Sequence, residues 1–257
     1  SAMGMISHKI GESEDLRWAD VEAAVEMGNA NREYVIGIKA RLSEALVGSN
    51  DLECLKRAIE AAEALDGIVM IHIGETNTPL EKLISMLRPG DVVTHIFHGR
   101  SHGVLDDAGR VIDGVRDAQE RGIILDIGHG AGSFSFEVAE KAISQGLFPG
   151  NISSDLHVYN IDGPVYDQVT TLSKFIHLGM EINEVLRLSS ETTAKIIGLS
   201  DSIGTLKPGA EGDVTIMRLE EGPFVLTDST GISVDARQKL NHIWTVRNGK
   251  LYRPHLK

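Results

Sequence analysis

The chain has 257 residues, 42% hydrophobic and 24% charged, the balance of an ordinary folded protein, which excludes a disordered or low-complexity chain. With 25 Lys and Arg against 37 Asp and Glu, the formal charge of −12 excludes a general polyanion binder such as a nucleic-acid protein. No run approaches the roughly 18 to 20 apolar residues of a membrane span and no charged-then-apolar leader opens the sequence, so a cytoplasmic protein is expected.

The first residues, Ser1-Ala2-Met3-Gly4, resemble the remnant of a cleaved expression tag before Met5. From about Tyr34 onward, short apolar runs alternate with amphipathic stretches, the pattern of successive βα units and a parallel sheet. Strands are predicted at 34–40 (YVIGIKA), 68–73 (IVMIHI), 91–97 (DVVTHIF), 122–127 (GIILDI) and 151–155 (NISSD). Helices are predicted near 51–66, 79–88, 108–121 and 135–146, where apolar residues such as Leu52, Leu55, Ile59 and Ala62 recur at helical spacing. Pro89-Gly90 and Pro149-Gly150 mark the turns back into strands. Further helices follow at about 165–178, 181–188 and 190–198. From about residue 201 the chain reads as β-structure, with Asn248-Gly249 a two-residue hairpin signal. Cys54 lies in an amphipathic helix and reads as a small buried hydrophobe. Five readable βα units cannot close an eight-stranded barrel, and an open parallel sheet would expose an apolar edge, which makes self-association an expectation.

In a parallel barrel, functional groups gather at the C-terminal ends of the strands. Polar residues occupy such ends four times, as Lys39, His72, His95 and Asp155. Singly, each has an ordinary explanation: a snorkelling Lys, hydrogen-bonded core His residues, a helix-capping Asp. Together they form a nitrogen and oxygen donor set suited to a divalent metal such as zinc. An ammonium cannot ligate a cation, but a Lys buried beside a metal would lose its proton and could add CO₂, giving a carbamate with two oxygens. Arg41 lies two positions beyond Lys39 on the same strand face, where a guanidinium could hold a substrate carboxylate.

The run Gly37-Ile38-Lys39-Ala40-Arg41, the strands IVMIHIGE and DVVTHIFHG, the segment LDIGHG and the ISSDLH around Asp155 resemble a dihydroorotase-like or deacetylase-like branch of the amidohydrolase superfamily. So does the tail, TAKIIGL followed by GTLKPGAEGDVTI. The resemblance implies a (β/α)8 TIM-barrel fold, here apparently incomplete over 5–200, with 201–257 contributing to a composite β-sandwich. It implies one or two zinc ions, a carboxylated bridging Lys39, His72 and His95 on the second metal, and Asp155 as first-metal ligand and general base. It implies substrate contact at His129. Such enzymes carry an His-x-His pair on their first barrel strand; none occurs in this sequence, so the resemblance implies that the first three strands are missing. His8, His98, His102 and His157 have weaker claims to a role.

The expected activity is hydrolysis of an amide or ester in a small molecule by a metal-activated water, with Asp155 taking the proton. The competing expectation from another class is a catalytically silent fragment or binding subunit with a partial metal site. A second enzyme alternative is a Schiff-base aldolase at Lys39, which leaves His72, His95 and Asp155 without a shared purpose.

Overall fold

A computed structural model describes residues 11–253, so the tag-like residues 1–4 and His8 lie outside the described residues. The chain forms two compact units: one runs through Asp126 and includes Lys141–Phe148, the other comprises Ile127–Glu140 and the chain from Pro149 onward.

The first unit opens with a 3-10 turn, Leu16–Trp18, and α1 (Val21–Ala30), whose Asp20 side chain accepts the Ala23 amide at 2.9 Å in N-cap fashion. Strands β1 (Gly37–Arg41), β2 (Ile68–His72), β3 (Val92–Thr94) and β4 (Ile124–Asp126) then alternate with α2 (Glu44–Val47), α3 (Asp51–Ala64), α4 (Leu80–Ser85) and α5 (Asp113–Glu120). The four strands pair in parallel in chain order, the right arrangement for βα units of a (β/α)8 type. Ala40, Val69, Ile71, Val93 and Leu125 share the buried face. The opposite face carries Lys39, Arg41, Met70, His72, Thr94 and Asp126 by the same two-residue period. At the other strand ends the buried Asp91 carboxylate accepts the Val69 and Arg88 amides, both at 2.8 Å, and pairs with the Arg88 guanidinium.

Helices α1 and α2 lie outside the elements predicted from sequence, since the reading began with the β pattern near Tyr34. Strand β3 is shorter than expected because His95, the next residue, adopts a left-handed backbone with φ 74° and leaves the ladder.

In the second unit, 151–155 does not form the predicted fifth strand. Only Asn151 makes a bridge, although the amides of His129 and Gly130 still donate to the carbonyls of Ser153 and Ser154 at 3.1 and 3.0 Å. Asp155 is left-handed, φ 47°, which ends any extension of that pairing. Helices α7 (Gln168–His177), α8 (Ile182–Ser189) and α9 (Glu191–Ile196) match the predicted segments, as does α6 (Phe136–Ser144). The tail is β-structure as expected: β5 (Val214–Thr227), β6 (Ser233–Arg247) and β7 (Lys250–Tyr252) make an antiparallel sheet in that order. Asn248 and Gly249 turn β6 into β7 with φ 48° and 70°, the paired positive values that select Asn-Gly. No helix among the described residues is long and apolar enough to cross a membrane.

Candidate functional site

Parallel register places Arg41 beside His72, His72 beside Thr94, and Thr94 beside Asp126, one row of polar side chains across the C-terminal ends of four strands. Within the row the Thr94 hydroxyl donates to the Asp126 carboxylate, and both residues are buried. Sequence reading gave neither residue a role. Their signal was a polar group on the inward alternation of an apolar strand.

The left-handed turn at His95 brings its ring to His72, edge to face, with centroids 4.3 Å apart. A left-handed His costs about 1 kcal/mol or more, and such outliers concentrate at functional sites. His95 is buried and His72 half-buried. Burial, and then the positive charges of His95, Lys39, Arg41 and His98, push the His72 imidazole down to about 2. His72 is therefore neutral throughout the physiological range, the form that ligates metals. His98 is buried as well; its Nδ1 accepts the Arg100 amide at 3.0 Å, so its proton sits on Nε2, which has no hydrogen-bond partner among the described residues. Burial and the Arg100 charge lower His98 to about 4.

Lys39 is exposed, not buried as its sequence context suggested, because β1 has a strand neighbour on one side only among the described residues. Arg41 forms an ion pair with Glu12 at 3.4 Å. Both Lys39 and Arg41 line a cleft of about 340 Å³ with Trp18, Met27 and Arg57. Cys54 also faces this cleft, and burial raises its thiol to about 11, an inert group as its helical setting suggested.

The donor chemistry of this row suits a divalent ion in part. Two imidazoles this close present nitrogens of the type that zinc takes, and the protein carries no competing charge on His72. Among the described residues no group of three or more His, Cys, Asp or Glu side chains gathers in metal-holding geometry.

In the second unit Asp155 is exposed, and its backbone carbonyl accepts the Asn160 side-chain amide at 2.9 Å. A Cβ placed on Gly130 would approach the Asp155 carboxylate to 3.0 Å, so the Gly128–Gly130 loop passes close beside that carboxylate. His129 is fully buried and stacks on Phe134, centroids 4.7 Å apart. Both of its ring nitrogens are engaged within the unit: Nδ1 with the Gly130 carbonyl at 2.9 Å, Nε2 with the Lys174 ammonium at 2.6 Å. Burial, then the Lys174 charge, lowers its imidazole to about 3. Sequence reading passed over Lys174. A Lys within an amphipathic helix usually reaches solvent, and α7 gives no local sign that this one is enclosed.

His72, His98 and His129 all have folded-state values below the ordinary 6.5. The unfolded chain therefore binds protons that the folded chain refuses as pH drops through 6.5, and stability is lost on acidification rather than on alkalinisation. Thermal melts are expected to show a midpoint falling steadily from pH 6.5 to pH 4, with His98→Asn flattening part of that fall. A midpoint flat over this interval would refute the assignment of buried neutral imidazoles.

Residues 30–251 match the model of the amidohydrolase family. A deacetylase of Enterococcus faecalis is 34% identical over 223 residues, which cover 86% of this chain; the chain spans 60% of that relative's length. A crystal structure of an adenine deaminase superposes with a TM-score of 0.91 at 32% identity, over 95% of this chain and 67% of that one. A crystal structure of a dihydroorotase superposes with a TM-score of 0.86 at 31% identity, over 96% of this chain and 64% of that one. A family match across most of the chain, with relatives above 30% identity, establishes that the chain belongs to the amidohydrolase family.

Proposed function

We propose that the chain serves a metal-dependent hydrolase of amide or ester bonds in small molecules, of dihydroorotase-like or deacetylase-like specificity. The observation that carries this reading is the neutral His72 imidazole held edge to face with His95 at the ends of adjacent parallel strands. The relative named as a deacetylase and the similar dihydroorotase support the substrate class.

In this reading His72 and His95 hold a divalent ion, zinc by the softness of the donors, with a carbamate on Lys39 as a further ligand. When bound, such an ion supplies Lewis acidity and lowers the pKa of water towards neutrality. Asp155 serves as a ligand and as the general base: its carboxylate takes the proton of the attacking water and returns it to the leaving amine or alcohol. Arg41 exchanges Glu12 for a substrate carboxylate. His129 acts on the substrate side through the Gly128–Gly130 loop, since its ring nitrogens are occupied. The enzyme is cytoplasmic, and its partner is a small molecule rather than nucleic acid or a membrane.

The non-catalytic reading is not favoured by relatives named for enzymatic activity. Elemental analysis of protein purified without chelator tests the proposal. About one or two equivalents of zinc per chain are expected, with turnover of N-acetylated carboxylic acids or cyclic amides. A chain that takes up no divalent ion even when it is supplied would overturn it.

A further inference from the structure

We propose that Lys174 is a positioning residue: it fixes the tautomer and seat of His129 and thereby holds the Gly128–Gly130 loop beside Asp155. The inference rests on the reading of Asp155 as the base. Lys174 lies on α7 and is completely enclosed, which is unusual for a Lys without, among the described residues, an anionic partner in hydrogen-bond contact. Its Nζ meets three acceptors, all neutral: the Pro164 carbonyl at 2.9 Å, the Thr227 carbonyl at 2.7 Å and His129 Nε2 at 2.6 Å.

The proton inventory leaves one arrangement. A carbonyl only accepts, so His129 Nδ1 must donate to the Gly130 carbonyl, 2.9 Å away. Burial keeps the ring neutral, so Nε2 carries the lone pair and must accept from Lys174. Two carbonyls take the remaining two protons, and the three donors of an ammonium are all used. Burial lowers the Lys174 ammonium to about 7, while the Asp228 charge works to keep its proton on.

From His129 the effect passes to the loop. The ring is clamped between the ammonium and the Phe134 face, its Nδ1 proton fixes the Gly130 carbonyl, and the His129 and Gly130 amides donate to the carbonyls of Ser153 and Ser154. Asp155 follows directly, with its carboxylate packed against Gly130. Loss of the ammonium would free the imidazole to exchange its proton between nitrogens and loosen its hold on the Gly130 carbonyl, which would keep only the Ser229 hydroxyl at 3.1 Å among these donors.

Nitrogen-15 NMR of the histidine rings in the full chain tests this without reference to turnover. The wild-type chain is expected to show His129 at pH 6, where Lys174 is charged and the imidazole neutral, with a protonated Nδ1 and a bare Nε2. In Lys174→Gln the ring should become a mixture of tautomers and the Gly130 and Asp155 amide resonances should shift, while those of β2 stay in place. Where turnover is measurable, kcat should fall with KM little changed. A wild-type His129 protonated on Nε2 would overturn the inference, and it needs no variant to be read. So would a folded Lys174→Gln chain whose His129, Gly130 and Asp155 signals match the wild type. Because these signals are independent of metal and activity, a failure of the hydrolase reading would appear separately, as absent metal uptake and absent turnover.

Discussion

Replacing His72 or His95 with Ala should abolish uptake of the divalent ion proposed for this site. The two rings are the only imidazoles that the inward row of strand ends brings together as a pair among the described residues, and removing either leaves a single nitrogen. Loss of a residue that merely orients a ligand weakens metal binding by about 10- to 100-fold, so loss of a ligand should cost roughly 100-fold or more. Metal content after dialysis against metal-free buffer should fall from about one equivalent or more to near zero in both variants. The fold should survive in His72→Ala: His72 is half-buried, and taking away an imidazole that is already neutral leaves no charge stranded. A second readout comes from linkage. An ion that binds only the folded chain raises the melting midpoint, so a chelator should lower the wild-type midpoint and leave those of the variants unmoved. Unchanged metal content in both variants would sink the assignment of these residues.

The parallel sheet was legible because its strands combine β-branched content with helix-period spacers, and both signals are local. The polar residues at strand ends were legible for the same reason, since a His that ends an apolar run stands out. What stayed hidden depends on backbone conformation or on partners far along the chain. The left-handed turn at His95 shortens its strand and aims its ring at His72, and no residue in DVVTHIF announces it. The left-handed Asp155 likewise ends the pairing of 151–155 with the His129 loop, a conformation that the composition of this segment does not announce. The exposure of Lys39 follows from strand order, which its own sequence cannot reveal. Lys174 meets partners 10, 45 and 53 residues away, a separation at which helical periodicity carries no information. The strand-end pattern singled out Lys39, His72, His95 and Asp155 as candidates and the family resemblance implied their roles, while the geometry brings only His72 and His95 into ring contact.

Asp228→Ala should be among the most destabilising single changes in the second unit. The carboxylate is 1% exposed and accepts four hydrogen bonds: from the Phe136 amide at 2.9 Å, the Thr230 amide and hydroxyl at 2.8 Å each, and the Ile232 amide at 3.0 Å. It therefore closes the turn between β5 and β6 and also caps the start of α6, where a negative charge meets the positive end of the helix dipole. Alanine leaves three backbone N–H groups without this acceptor, and a buried unsatisfied donor costs about 1–3 kcal/mol. Water will reach some of them, so a total loss of about 3–5 kcal/mol is expected, the range for breaking a buried charged network. For a chain of this size that corresponds to a fall of roughly 6–20 °C in the melting midpoint. Asp228→Asn keeps one acceptor oxygen and should lose less than half as much. The same carboxylate opposes the desolvation of the Lys174 ammonium, so both variants should also make that group easier to deprotonate. Urea unfolding that places Asp228→Ala within 1 kcal/mol of wild type would show that the turn and the α6 cap hold without it.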